Sequence, residues 1–159
     1  MNDILTRVAQ WHKDAKPITK DDDLRIALAV HIEEFLEMLD EIEFLPTEPS
    51  WDVGYSYSNH AAKAEYSLTI LMQQLKQNKC HPRVLSFRRE AVLDSLADQI
   101  VTATGVGVVM GMDVVAAVDR VATSNDTKRC PETGAFTFNE QGKITKPDHY
   151  VPPNLSGLY

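Results

Sequence analysis

Two clusters of carboxylates lie beside apolar segments of this chain. Glu33, Glu34 and Glu37 follow one apolar run, and Asp94 and Asp98 precede another. On a helix, residues three or four positions apart are neighbours, so like charges at these spacings repel, and burial would raise the cost further. A divalent cation bound by carboxylate oxygens offsets that repulsion. The spacing therefore indicates ligands for a hard ion, Mg²⁺ or alternatively Mn²⁺, and with it phosphate chemistry.

An ordinary solvated acidic face is the alternative interpretation of these acids. Asp40, Glu41 and Glu43 fit that interpretation directly. For the first cluster alone, the two interpretations are evenly matched. A second acidic pair beside another apolar helix favours a functional site.

Other site classes lack their required spacing. A di-iron bundle needs Glu-x-x-His on two helices, whereas His31 and Glu34 stand in the reverse order. There is no HExxH zinc motif and no GxSxG nucleophile motif. The glycines within 105–111 follow a predicted helix rather than a strand, so they indicate close helix packing and not a dinucleotide loop.

The length and composition predict one soluble globular domain. The chain has 159 residues, with 43% hydrophobic and 25% charged residues and a net charge of −7. This acidic balance argues against nucleic acid as a partner. Cys80 and Cys130 are expected to be free thiols in a reducing cytosol. We see no signal peptide, and the longest apolar run, 100–112, is too short to span a membrane, so we expect a cytoplasmic protein without a membrane partner.

The pattern of apolar residues, caps and breakers predicts an all-α fold. The expected elements are a first helix capped by Asn2 or Asp3 and ended by Pro17, a second helix over about 22–43, a loop over 45–58, a third helix from Ser58 or Asn59 to about Asn78, a fourth from Val84 or Ser86 to Met110, a fifth from Val114 to about Thr123, and a small hairpin over 136–145. Gly111 and Asp113 are predicted caps. We expect a helical core over about 3–124 and a C-terminal arm over 125–159 within a single domain spanning residues 1–159.

The second helix is apolar on nearly all sides in its first half, so we expect it to be central. Its predicted core stripe is Leu24, Leu28, Ile32, Phe35, Leu39 and Ile42. On the other side, Ile26 and Val30 are continued by Glu33 and Glu37. In the third helix, the predicted buried line is Ala64, Leu68, Leu71 and Leu75.

Three parts of the sequence together resemble the all-α nucleotide pyrophosphohydrolases. This superfamily includes MazG, the phosphoribosyl-ATP pyrophosphohydrolases and the dimeric dUTPases. The resemblance lies in Glu33-Glu34-x-x-Glu37 followed by Asp94-x-x-x-Asp98, in the segment 121–129, which is similar to the SN-x-SK segment of phage-type members, and in the tail 142–153. It covers about residues 4–155 and implies a MazG-like bundle of four to five helices with a C-terminal hairpin and arm.

The resemblance implies roles for individual residues. Glu34, Glu37, Asp94 and Asp98 would bind the metal, and Glu33 would be a further ligand or the base that activates water. The usual second motif is Glu-x-x-Asp, and Ser95 occupies its first position here, so Asp98 matches more firmly than Asp94.

Substrate contacts are implied for a further set of residues. Lys128 and Arg129 would bind the β- and γ-phosphates, and Asn125 would donate a hydrogen bond. By residue type alone, Trp11 and His12 are candidates for stacking on the base, as are the loop aromatics Trp51, Tyr55 and Tyr57, and the alternative for each is a core or interface aromatic. Without the resemblance, Lys128 and Arg129 would read as basic residues at a helix C-terminus.

The activity that the resemblance implies is Mg²⁺-dependent hydrolysis of a nucleoside triphosphate to the monophosphate and pyrophosphate. A purine deoxynucleotide such as dGTP is the first candidate substrate. The expected role is control of the nucleotide pool, and the expected location is the cytoplasm, which is that of the host if the chain is phage-encoded. The resemblance also implies a homodimer or homotetramer. Two alternatives stay open: a non-catalytic helical interaction module, and a related cleavage of phosphoribosyl-ATP or dUTP.

Overall fold

The fold is all-α, as predicted. The computed structural model describes residues 4–18, 20, 23–42 and 51–159. Over these residues it contains five α-helices, a short 3-10 turn and no β-strand: α1 (Ile4–Ala15), α2 (Asp23–Asp40), α3 (Trp51–Lys76), the 3-10 turn Ser86–Arg88, α4 (Arg89–Val109) and α5 (Val114–Asp126). The proposed caps of the first helix, Asn2 and Asp3, lie outside the described residues.

The chain divides into two compact units. One is formed by 1–19 and 83–159 and contains α1, α4 and α5, and the other is formed by 20–82 and contains α2 and α3. The sequence-based expectation of a single domain stays a prediction.

In the α2–α3 unit, the side of α2 that is buried differs from the predicted core stripe. Ile26, Ala29 and Leu36 are buried, whereas Leu24 and Phe35 are exposed. Because α2 is apolar on nearly all sides, periodicity alone did not define which side faces α3. On α3 the predicted line is confirmed only at its end: Leu75 is fully buried, Leu68 is half-buried, and Ala64 and Leu71 are exposed.

A buried arginine joins the two helices of this unit. Arg25 is 7% exposed, and its Nη1 donates a hydrogen bond to the carbonyl oxygen of Leu75. That carbonyl lies in the last turn of α3, where helix carbonyls lack intrahelical partners and a positive charge is favourable. The sequence analysis did not identify Arg25 as a core residue.

The predicted loop over 45–58 is wrong in its second half, because α3 begins at Trp51. Residues 51–58 contain one glycine and no proline, so nothing in them breaks a helix outright. Propensity is a weak guide where neighbouring helical turns propagate the helix. Residues 43–50 lie outside the described part of the chain.

The junction between α4 and α5 agrees with the predicted caps. Gly111 has a φ of 76°, which favours glycine, and the Met112 amide donates to the Gly107 carbonyl at 2.9 Å. The Asp113 carboxylate then accepts the Ala116 amide at 2.9 Å and caps α5. Helix α5 extends to Asp126, three residues beyond the predicted end.

The C-terminal region forms the predicted turn and then runs along α5. Phe138 and Ile144 form an antiparallel bridge, and the Asn139 amide donates to the Lys143 carbonyl at 2.9 Å. Further on, Arg120 Nη1 donates to the carbonyls of Asn154 and Ser156 at 2.8 and 2.9 Å. These bonds attach the arm to α5. Both cysteines are free, as expected.

Helix α4 is exposed along most of its length. Only Gly107 is buried, and large apolar side chains such as Leu93 and Val101 are each 68% exposed. By length and composition, the segment Ser86–Val109 could cross a membrane. The sequence-based expectation considered only the shorter run 100–112, and the absence of a membrane partner stays a prediction.

Gly107 should be intolerant of a side chain, whereas Gly105 should accept one. A Cβ at Gly107 would lie well inside van der Waals contact with Cγ2 of Val114 on α5, while nothing lies within 4 Å of a Cβ at Gly105. We expect Gly107→Ala to destabilise the protein by about 1–3 kcal/mol through overpacking against a stiff β-branched side chain. Gly105→Ala should stabilise it by about 0.5–1 kcal/mol, because alanine is the better helix former. Urea unfolding followed by circular dichroism measures both, and equal effects would contradict the close approach of α4 and α5.

Candidate functional site

Trp11 on α1 contacts several of the residues that the sequence assigned to substrate binding. Its indole Nε1 donates a hydrogen bond to the backbone carbonyl of Asn125 at 3.1 Å. The ring makes an edge contact with His12, with centroids 5.1 Å apart at 89°. Lys128 Nζ lies 5.8 Å from the Trp11 ring centroid, within the range of a cation–π interaction. Asn125 thus meets Trp11 through its main chain, whereas the sequence analysis expected its side chain to act as a donor.

Arg129 reaches the same region from the segment that follows α5. Its Nη2 donates to Asp14 Oδ2 at 2.8 Å, and its guanidinium carbon lies 4.7 Å from the centroid of Phe136. Phe136 in turn contacts the edge of Trp11 at 5.1 Å. Helix α1, the last turn of α5 and the segment after it therefore bring four predicted substrate-binding residues close to the indole of the fifth, Trp11: His12, Asn125, Lys128 and Arg129. The side chains of the other candidate aromatics, Trp51, Tyr55 and Tyr57, lie outside the described part of the structure.

A cavity of about 310 Å³ opens beside Trp11, within the α1–α4–α5 unit. Its lining residues come from α1, from the end of α5 and from the segment beyond it: Thr6, Arg7, Gln10, Trp11, Asp14, Asp126 and Arg129. This volume is at the lower end of the range of small-molecule sites, roughly 300–1,000 Å³. We refer to this cavity as the Trp11 pocket.

A chain of ion pairs runs along the Trp11 pocket. Arg7 bonds Asp119 Oδ1 at 2.8 Å and Asp126 Oδ2 at 2.7 Å. Asp126 Oδ1 lies 3.9 Å from Arg129 Nε, and Arg129 pairs with Asp14. The charges alternate along this chain, so each guanidinium and each carboxylate is held in a fixed orientation.

These ion pairs and hydrogen bonds shift the titration of two groups. The side chain of Gln10 donates to Asp14 at 2.7 Å and, together with Arg129, lowers the pKa of the Asp14 carboxyl. The hydrogen bond to Asp126 raises the pKa of Arg7, which partial burial opposes. Asp14 is therefore an acceptor only, and Arg7 a donor only, at neutral pH.

The sequence analysis missed Arg7, Asp14 and Asp126. A helical signal for two of them was present: Arg7, Trp11 and Asp14 are spaced four and three residues apart, which places them on one face of α1. No local pattern indicated that this face would meet α5.

A second group of cations surrounds Tyr150, next to the Trp11 pocket. Lys128 Nζ lies 5.7 Å and Lys146 Nζ 5.2 Å from the Tyr150 ring centroid. The position of the ring is fixed by Ser124 Oγ, which lies 3.1 Å from the Tyr150 hydroxyl. The tail that the sequence analysis noted for its resemblance thus places Lys146 near the predicted Lys128.

The predicted metal ligands fall in both units, with Glu33, Glu34 and Glu37 on α2 and Asp94 and Asp98 on α4. On α2, Glu33 Oε1 pairs with Lys76 Nζ at 2.6 Å, so this carboxylate is compensated by an ammonium. Glu34 and Glu37 are exposed, as are Asp94 and Asp98 on α4. Among the described residues, none of these four carboxylates forms an ion pair, and no group of three or more His, Cys, Asp or Glu side chains could hold a metal ion.

Comparisons with known proteins found no similar protein, since no family model, no curated protein and no solved structure matches this chain.

His12 should titrate below the usual range of a histidine. Partial desolvation of the ring, helped by the charge of Lys16, lowers its pKa from the ordinary value of 6.5. The folded state therefore binds this proton less readily than the unfolded chain, so the associated stability is complete above 6.5 and is lost as the pH falls below that value. NMR titration of the imidazole should show the depressed pKa, and His12→Gln should flatten the pH dependence of the melting temperature below neutral pH.

His60→Gln is the control for this effect, since His60 lies on α3 in the other unit. An imidazole of His12 that titrates at or above the ordinary value would contradict desolvation of its ring at the edge contact with Trp11.

Proposed function

We propose that this protein is a Mg²⁺-dependent nucleoside triphosphate pyrophosphohydrolase of the all-α type, with Mn²⁺ as an alternative ion. The observation that carries the proposal is the contrast among the acids. Glu33 is paired with Lys76, whereas Glu34, Glu37, Asp94 and Asp98 are exposed and form no ion pair with any described residue. Pairs of uncompensated carboxylates at helical spacing repel, and a bound cation relieves that repulsion.

The chemistry of the donors fits this ion. All four side chains offer carboxylate oxygens and no thiolate or imidazole, which suits Mg²⁺ or Mn²⁺ rather than zinc or copper. Glu34 and Glu37 on α2 would be one pair of ligands, and Asp98 and Asp94 on α4 would be the other. When bound, the ion would neutralise charge that develops on phosphate oxygens and lower the pKa of a water molecule.

The remaining residues would bind and orient the substrate. Lys128 and Lys146 flank Tyr150 and would attract the phosphate chain. Glu33 would orient the attacking water or accept its proton. For this role, its carboxylate must release the ammonium of Lys76 and bind the water instead. The products would be a nucleoside monophosphate and pyrophosphate, formed from a purine deoxynucleotide in the cytoplasm.

Activity should depend on Glu37. We expect the wild type to convert one or more nucleotides of a dNTP and NTP panel to monophosphate and pyrophosphate with Mg²⁺. Glu37→Gln should reduce turnover at least about a hundredfold, since even outer-shell partners of a metal cost roughly 10- to 100-fold when removed. Chromatography of the products measures both, and a panel with phosphoribosyl-ATP and dUTP tests the alternative substrates.

Glu41→Gln is the matched control, because Glu41 is exposed just beyond α2 and was assigned to a solvated face. Mg²⁺ should also raise the melting temperature of the wild type and of Glu41→Gln, but not that of Glu37→Gln. Diphosphate and phosphate as products would contradict the proposed bond cleavage. No turnover together with no effect of Mg²⁺ on melting would favour the interaction module.

The exposed surface of α4 supports the second part of the proposal, a homo-oligomer in which a second copy covers this helix. Leu93 and Val101 are each 68% exposed. Exposure of these apolar side chains to water costs free energy, and burial against the same helix of a second copy would remove that cost. A bilayer is a poorer cover, because Asp94 and Asp98 would lie within the hydrocarbon. The same surface is what a non-catalytic interaction module would use.

Val101→Lys should therefore convert the oligomer to a monomer of 17.8 kDa. Val115→Lys is the control, because Val115 on α5 is 63% exposed, close to the 68% of Val101, but lies outside the proposed interface. Light scattering after gel filtration gives both masses. A monomeric wild type, or its partition into lipid vesicles, would overturn the proposal.

A further inference from the structure

The charges that line the Trp11 pocket cancel. Arg7 and Arg129 contribute two positive charges, and Asp14 and Asp126 contribute two negative charges. A triphosphate would meet carboxylates as closely as guanidinium groups there. The pocket therefore suits a neutral ligand that carries hydrogen-bond donors and acceptors side by side, and not the anionic end of a nucleotide.

The Asp14–Arg129 pair presents an acceptor beside a donor in a fixed geometry. Their 2.8 Å contact and the hydrogen bond from Gln10 hold the carboxylate in place, and Phe136 lies against the guanidinium. Both side chains keep access from the pocket, with Asp14 39% and Arg129 27% exposed. A carboxylate accepts at several lone-pair positions and a guanidinium has five N–H donors, so each has capacity for a ligand in addition to its partner.

Guanine matches this arrangement best among the bases. It carries two neighbouring acceptors, O6 and N7, which arginine recognises in a bidentate manner, and two neighbouring donors, N1–H and the N2 amino group, which a carboxylate accepts. Adenine carries an amino donor at the position of guanine O6, an N1 acceptor at the position of N1–H, and no amino group at C2. A carboxylate placed to accept from guanine would therefore face the N1 lone pair of adenine and repel it.

Trp11 supplies the flat surface that a base needs, and it lines the pocket together with this polar edge. The indole lines the pocket, while Lys128 and Lys146 gather around the neighbouring Tyr150. Stacking of a base on an aromatic ring contributes roughly 1–3 kcal/mol without distinguishing bases, so selectivity must come from the polar edge.

We propose that the Trp11 pocket binds the guanine base of the substrate, with Trp11 as the stacking surface and the Asp14–Arg129 pair as the group that selects guanine over adenine. This inference rests on the proposed nucleotide hydrolase and deepens it. It reassigns Arg129 from the phosphates to the base and places Lys146 beside Lys128 on the phosphates.

The test uses deoxynucleosides, which have no phosphate and need no metal. Titration of the full chain carrying Trp51→Phe leaves Trp11 as its one tryptophan, so fluorescence quenching reports on the pocket. We expect deoxyguanosine to bind roughly tenfold or more tightly than deoxyadenosine. Asp14→Asn should remove this preference, because an amide can donate to ring acceptors and tolerates adenine.

Asp119→Asn is the matched control, since Asp119 also pairs with Arg7 but does not line the pocket. It should keep the preference for deoxyguanosine. Arg129→Lys is a second variant, which retains the charge, loses the bidentate fork and should weaken deoxyguanosine selectively. Circular dichroism establishes that each variant is folded.

The outcomes separate this inference from the proposed function. Selective binding of deoxyguanosine by a protein that cleaves no nucleotide would support the pocket and refute the hydrolase. Nucleotide cleavage with equal or no binding of the two deoxynucleosides would overturn the pocket and leave the hydrolase intact. Retention of guanine preference in both Asp14→Asn and Arg129→Lys would also overturn the assignment.

Discussion

The described site depends on one contact, in which the guanidinium of Arg7 on α1 forms an ion pair with each of two carboxylates on α5, those of Asp119 and Asp126. Exposed ion pairs of this kind contribute little stability, about 0–1 kcal/mol each. Their effect here is orientation, because a planar guanidinium held by two carboxylates fixes the rotation of one helix against the other. One turn beyond Arg7, Trp11 is thereby placed to donate to the Asn125 carbonyl.

The same pairing explains how a cationic region and a neutral pocket lie next to each other. Arg7 and Arg129 form ion pairs with carboxylates, so their positive charges are neutralised by neighbouring side chains. The Nζ atoms of Lys128 and Lys146 lie 5.7 and 5.2 Å from the centroid of the Tyr150 ring, within the range of a cation–π interaction. A ligand with a neutral ring and an anionic chain matches this division.

The acidic residues divide in a comparable way. Glu33 is compensated within the α2–α3 unit by Lys76, whereas the exposed carboxylates of Glu37 and Asp98 form no ion pair with any described residue. On α4 the paired acids occur in a helix whose many large apolar side chains are exposed, so two unfavourable features coincide on one element. A bound cation and a second copy of the chain would each remove one of them.

The sequence by itself determined those structural features that depend on residues within about one helical turn of each other. The all-α content, the left-handed Gly111, the Asp113 cap and the turn after Phe138 all follow from such local patterns. Local patterns did not predict the start of α3 at Trp51 or the buried side of α2, because helix propagation and packing against a neighbouring helix override local composition. Only the tertiary structure decided that Arg7 meets Asp126, since charges 119 residues apart in the chain interact through a packed interface that no local spacing encodes.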